Sequence, residues 1–306
     1  MAAHAKFTIA MALMFAGMLA ADDAPKVFDV HLHAIPSSDR MLLERPANPL
    51  THQPTPARTE AQLRVSLVAE MRKHNVVAAV LSSDDPQALR AWLENPSARL
   101  LAGIGFDSPL GVSVDTLAKE HAAGRLDVLA EVAVAYSGLA PNDQALDAYF
   151  AFAEKFDIPV GIHMGTTGGL ASYGCCPRYR MALNDPLLLE DVLVNHPKLR
   201  LYVMHAGWPF GEHMIALLAA HPQVYVDVGV ICWVRPRAEF HAYLEKLVVA
   251  GYGKRIMFGS DAMMWPEAIG IGIDAIMAAP FLSQSQKADI LYNNAARFFR
   301  VPDDAP

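Results

Sequence analysis

Hydrophobic positions fall into two rhythms that alternate from residue 27 onward. Short apolar runs read as strands: VFDVHLH (27–33), VVAAVLSS (76–83), RLLAGIGF (99–106), LDVLAEVAV (126–134), PVGIHM (159–164), LRLYVMH (199–205), VYVDVGV (224–230) and RIMFGSD (255–261). Between them lie segments whose apolar residues recur every three to four positions, such as 60–74, 143–156, 187–196 and 239–251, each able to bury one helical face. That alternation predicts a parallel sheet covered by helices. Eight strands in a chain of 306 residues predict an α/β fold closed as a (β/α)8 TIM barrel rather than an open sheet, and no GxGxxG or GxxxxGK[ST] run follows the first strand. Residues 22–306 carry no repeat, linker or low-complexity tract and read as one domain.

Two connections are long, 34–59 after the first strand and 165–186 after the fifth. Both leave the C-terminal end of a strand, where barrel enzymes build their sites, and are candidates for covering a substrate.

Residues 1–21 have a different pattern. Lys6 precedes an apolar run over 7–20 and then small residues, the layout of a secretory signal peptide. The run is too short to span a bilayer comfortably, so the expectation is a periplasmic or secreted protein with no stable membrane insertion after cleavage.

A hydrophobic content of 53% allows a full core, and a formal charge of −7 argues against nucleic acid or an anionic membrane as partner. A small-molecule substrate is expected, and a homo-oligomer is compatible with the composition. Cys175, Cys176 and Cys232 are too few for a disulfide scaffold but permit one bridge, from Cys232 to one of the adjacent pair.

The candidate chemistry sits at the strand ends. His31 and His33 are two apart on the first strand, so both side chains point to one face, roughly 7 Å apart at Cα. A lone histidine on a strand is more often a packed residue than a ligand. Further groups arrive in order, however: Glu131 in LAEVAV, His163 in GIHMG, His205 in VMHAGWP and Asp261 in FGSDAMMW. Histidine with carboxylate suits a divalent ion, zinc first and manganese as an alternative. Asp227 reads equally well as a helper of this site or as a structural hydrogen-bonding group. Tyr136, Arg178, Trp208 and Trp265 lie near strand ends or in the long loops and are candidates for the substrate pocket.

The runs FDVHLH, GIHMG, VMHAGWP and FGSD, with a closing LYNNAARFF helix, resemble the amidohydrolase superfamily, and within it the branch of amidohydrolase-related hydrolases and decarboxylases. The resemblance implies a TIM barrel with a C-terminal extra helix. It also implies metal binding by His31, His33, His163 and Asp261, proton transfer by Asp261, and for His205 catalysis or ligation of a second metal. Many two-metal members use a bridging carbamylated lysine on the fourth strand. The nearest lysines here, Lys119 and Lys155, lie in helical segments, which leaves Glu131 as the available bridge. Hydrolysis of an amide, ester or lactone by activated water is the leading expectation. Non-oxidative decarboxylation is the alternative, and metal binding without turnover is a third reading.

Overall fold

A computed structural model of the chain describes residues 24–94, 96, 98–165 and 171–302. Residues 1–21, where a signal peptide is expected, lie outside the described residues. Eight strands follow one another around the sheet: β1 (Val27–His33), β2 (Val76–Ser83), β3 (Arg99–Phe106), β4 (Val128–Val132), β5 (Val160–His163), β6 (Leu201–Met204), β7 (Val224–Asp227) and β8 (Ile256–Met257). Each pairs in parallel with its sequence neighbour. The seam is drawn together where Val30 N–H donates to Phe258 O (3.0 Å) and Asp261 N–H donates to His31 O (2.7 Å). This is the TIM barrel that the apolar rhythm predicts.

The first three strands have the expected limits, and the last five are shorter than their apolar runs. Their final residues leave the ladder for tight turns, as at Val134–Ser137 and His205–Gly207, both 3-10 helices. Hydrophobicity reports burial, and these segments stay buried after pairing stops. Helices cover the outside. Glu60–Lys73 begins where the Thr59 hydroxyl accepts from Gln62 N–H and ends with Arg72 and Lys73 facing the negative end of its dipole. Among the described residues no helix is long and apolar enough to cross a membrane.

Two buried layers result. The larger lies between sheet and helices and contains Leu32, Leu81, Ile104, Ile162, Val203 and Val226. The smaller fills the barrel, with Ala78 and Val80 from β2, Val128 and Ala130 from β4, Tyr202 and Met204 from β6, and Met257 from β8. Phe28 and Val30 of β1 belong to the same layer. Ala295, Phe298 and Val301 of the C-terminal segment join this inner layer from below, beside Phe28. Asn294, fully buried, donates to Gly253 O (2.9 Å) and Ile256 O (2.6 Å), and Arg200 donates to Phe298 O (2.8 Å), so the helix Asn294–Phe299 is tied to the starts of β6 and β8. Phe298→Ala is expected to cost about 3–5 kcal/mol of stability. Denaturant unfolding measures it, and a loss within experimental error would show that the helix does not seal the barrel.

Both long connections are anchored. In 34–59, Asn48 donates to Glu267 Oε1 (2.7 Å), and Pro46 O accepts from Trp265 Nε1 (3.3 Å). In the second, Asn184 Nδ2 donates to Gly165 O (2.9 Å) and to Tyr179 Oη (3.0 Å). The expected bridge from Cys232 is not formed. Cys175 and Cys176 are bridged to each other in the loop after β5, while Cys232 is a free, buried thiol directed at Gly259 O (3.6 Å). It lies in the short helix Ile231–Val234, within the layer between sheet and helices.

Candidate metal centre

Two irregular strands aim the central ligands. In β1, Phe28 and Val30 lie in the inner layer, and the pairing register then slips between Asp29 and Leu32. The slip moves the inward phase by one residue, so His31 and His33 follow at the upper end. β4 repeats the device: Val128 and Ala130 are inside, the register slips between Leu129 and Val132, and Glu131 turns to the site. Gly105 on β3 makes room, since a β-carbon there would fall within 3.0 Å of the backbone of Ala130 and Glu131. His205 and Asp261 leave their strands in the left-handed region, at φ 57° and 52°. For non-glycine residues that conformation costs of order 1–3 kcal/mol and marks a place where surrounding structure holds a side chain in position.

Glu131 stands at the centre. Its Oε2 is 3.5 Å from both His31 Nε2 and His33 Nε2. Its Oε1 is 2.5 Å from His163 Nδ1 and 3.7 Å from His205 Nε2. Asp261 Oδ1 lies 3.1 Å from His33 Nε2 and 3.7 Å from His31 Nε2. Among the described residues the donor atoms gather as three overlapping groups: His31–His33–Glu131 and Glu131–His163–His205, which share one carboxylate, and His31–His205–Asp227 behind them. His163 is set against Glu131 and His205, whereas the sequence reading placed it on one centre with His31, His33 and Asp261. Lys119 and Lys155 lie in the helices Val114–Ala122 and Asp147–Lys155, as expected.

Asp227, left open by the sequence, orients the others. Its Oδ1 accepts from His205 N–H (3.1 Å) and Gly229 N–H (2.7 Å), and its Oδ2 faces His31 Nδ1 at 3.2 Å. That bond fixes the His31 ring with Nε2 toward Glu131 and Asp261. His205 is fixed likewise, because its Nδ1 must donate to the Gly229 carbonyl (3.0 Å), leaving Nε2 toward His163 and Glu131. Gly229 permits this packing, as a β-carbon there would come within 3.0 Å of the His31 ring.

Asp29 was not foreseen. It is fully buried, and its Oδ1 accepts from His31 N–H (3.1 Å) and Ser260 N–H (2.8 Å), tying β1 to the turn that carries Asp261. Burial pushes its carboxyl up to about 6. Its only sequence signal is the DxHxH spacing of FDVHLH.

Electrostatics keep the central carboxylates charged. Burial opposes ionisation of Glu131, but the bond and charge of His163, with bonds from His205 and His31, hold it well below the usual carboxylate range. Asp261 is held low in the same way by His31 and His33. Burial disfavours charge on His31 too, yet Asp261 and Asp227 raise it well above an ordinary histidine.

Among the buried polar atoms without a hydrogen-bond partner are four that belong to this centre: His31 Nε2, His33 Nε2, His163 Nε2 and Asp261 Oδ1. An unsatisfied buried polar atom costs about 1–3 kcal/mol, and His31 Nε2, His33 Nε2 and Asp261 Oδ1, gathered beside Glu131, fit a cation, with a nitrogen and oxygen donor set suited to zinc or manganese. Asp227→Asn should weaken metal binding about 10- to 100-fold, the usual cost of removing the partner that orients a histidine ligand. Competition with a chelator of known affinity measures this, and an unchanged affinity would leave Asp227 a purely structural residue.

A cavity of about 200 Å3 opens beside His33 and Glu131. The candidate pocket residues lie around the site without lining that cavity. Tyr136 stands against His163, with ring centroids 5.2 Å apart. Arg178 is exposed above Gly138, Trp208 carries the Arg235 guanidinium 4.2 Å above its ring, and Trp265 packs edge-on to Trp233.

Comparison with known proteins agrees with this architecture. Among curated proteins, Protein fluG of Emericella nidulans is 19% identical over 138 residues, a match covering 40% of this chain and 16% of that protein's length. Among solved structures, a probable 2-pyrone-4,6-dicarboxylic acid hydrolase from Acinetobacter baumannii with citric acid bound has a TM-score of 0.62 at 16% identity, covering 90% of this chain and 99% of the other. A 5-carboxyvanillate decarboxylase from Novosphingobium aromaticivorans with bound manganese has a TM-score of 0.56 at 12% identity, covering 90% and 97%. These similarities concern the fold, which therefore hosts both kinds of reaction. The amidohydrolase family model matches residues 28–301, from the first strand to the end of the C-terminal helix, and so takes in every residue of the centre. The chain belongs to the amidohydrolase family, whose members are metal-dependent enzymes.

Proposed function

We propose that the protein is a metal-dependent hydrolase that uses activated water on an amide, ester or lactone of a small molecule. The observation carrying this reading is the convergence of unpartnered donor atoms on Glu131. His31, His33 and Asp261 would hold one divalent ion, His163 and His205 a second, and Glu131 would serve both. A divalent cation there supplies Lewis acidity toward a substrate or solvent oxygen. Zinc is the first choice, and manganese suits the same donors.

The chain's own groups divide the remaining work. Asp261, held ionised in a buried setting, can accept a proton at Oδ1 and return it to the departing group. Asp227 and the Gly229 carbonyl keep the His31 and His205 rings from turning, so Nε2 of each stays directed inward. Tyr136, beside His163, limits the space on the β5 side.

Export is part of the proposal, from the pattern of residues 1–21, and places the enzyme in the periplasm or outside the cell. N-terminal sequencing of the mature protein tests it, and an intact Met1 in the fractionated protein would refute it.

The test of function is elemental analysis of the purified protein with a screen of esters, lactones and amides in 18O-labelled water. Metal near two equivalents and label in the product are the expected results. Release of carbon dioxide without incorporation of label would replace hydrolysis by decarboxylation, and a protein that retains metal and turns over nothing would be a binding protein.

A further inference from the structure

The cavity beside His33 and Glu131 has a one-sided lining. Besides those two residues it is bounded by Asp39, Asp84 and Asp107, which follow β1, β2 and β3, and by Ser82. No lysine or arginine is among its described lining residues. Asp84 and Asp107 stand exposed at the mouth, and Asp39 is half-buried. The Asp84 carboxyl is pushed upward by partial burial and by the charges of Asp39, Asp107 and Asp85, so these groups repel one another across the opening.

Ser82 supplies a second, independent sign. It is 1% exposed, its Oγ has no hydrogen-bond partner, and it bounds the cavity one alternation above the inward-facing Val80 of β2. A buried hydroxyl without a partner in a cavity wall is expected to meet a ligand. Among the described residues the acids at the mouth do not form another metal cage: no group of three ligand atoms within 4.8 Å of one another includes Asp39, Asp84 or Asp107.

Resting on the hydrolase reading, we propose that the substrate carries a cationic nitrogen group, an ammonium or amidinium, seated in this acidic lobe while its scissile carbonyl reaches the centre at His33 and Glu131. A cleft lined by one sign of charge concentrates ligands of the other sign and excludes like-charged ones, so a polycarboxylate is a poor fit on this side. Asp84 and Asp107 would face the cation, and Ser82 Oγ would accept a hydrogen bond from it or from a neighbouring N–H.

The experiment is calorimetric titration of the metal-loaded protein with two matched probe sets: benzamidinium, benzamide and benzoate, and butylammonium, butyramide and butyrate. Metal content is measured on the same samples. A cationic probe should bind at least about tenfold more tightly than its neutral counterpart, as expected for charge-assisted contacts. The preference should shrink severalfold or more in the Asp84→Asn/Asp107→Asn variant, whose metal content stays at the wild-type value. Ser82→Ala should weaken the cation without abolishing it. Equal binding of neutral and cationic probes, absence of binding by both cations, or a preference unchanged in the double variant would each overturn the proposal. A protein without metal but with the charge preference would instead sink the hydrolase reading alone.

Discussion

Replacing Asp261 with asparagine should lower kcat by about 10²- to 10⁴-fold, the usual contribution of a positioned acid–base group, in a protein that still folds and still holds metal. The amide keeps the shape of the side chain and removes its basicity. Folding should survive because Asp261 joins the barrel through its backbone, donating N–H to His31 O, which the substitution leaves intact. Metal should remain because His31, His33 and Glu131 are unaltered. The comparison needs kcat and metal content for both proteins on a substrate from the screen. Wild-type kcat in a fully metallated variant would reduce Asp261 to a structural ligand and direct attention to His205.

Glu131→Gln tests the centre itself. Its two oxygens face different histidines, Oε2 toward His31 and His33 and Oε1 toward His163 and His205, so one carboxylate serves both donor groups. An amide offers a single acceptor oxygen and no charge. Metal content should fall from near two equivalents to one or fewer, and affinity for the remaining ion should drop by at least about 10- to 100-fold. Turnover should fall with it. Two equivalents retained at wild-type affinity would mean that Glu131 only hydrogen-bonds the histidines, and one equivalent in the wild-type protein would remove the second ion from the mechanism.

Much of this arrangement was legible in the sequence, for identifiable reasons. The limits of β1, β2 and β3 coincide with apolar runs because ladder pairing reaches both ends of each strand, Val27 and His33, Val76 and Ser83, Arg99 and Phe106. His31 and His33 could be paired because two residues on one strand share a face. The later strands could not be bounded, since β8 pairs regularly over two residues while its apolar run continues toward Asp261. The register slips in β1 and β4 leave no mark in the residue pattern, and without them the partition of His31, His33, His163 and His205 around Glu131 was not derivable. Asp227 needed the fold to choose between its two readings, because its partners are 22 and 196 residues away. The cysteines show the opposite failure: the sequence permitted a bridge from Cys232 to the adjacent pair, and in the structure the pair is bridged to itself while Cys232 is a buried free thiol.

The helix that seals the barrel also sets an order on biosynthesis. Phe28 is made about 270 residues before Phe299, whose ring lies 5.4 Å from it. Under the proposed export the chain crosses the membrane unfolded, and strands that pair on the far side have an interior, around Phe28, Tyr202 and Met257, that stays open to water at the lower end until the segment from Asn294 joins them. Chains in that state are the ones holdase chaperones recognise, by their uncovered apolar surface. A nonsense codon just before Asn294 would therefore yield a chain with every metal-site residue present and no way to close its core, destined for aggregation or degradation rather than for partial activity.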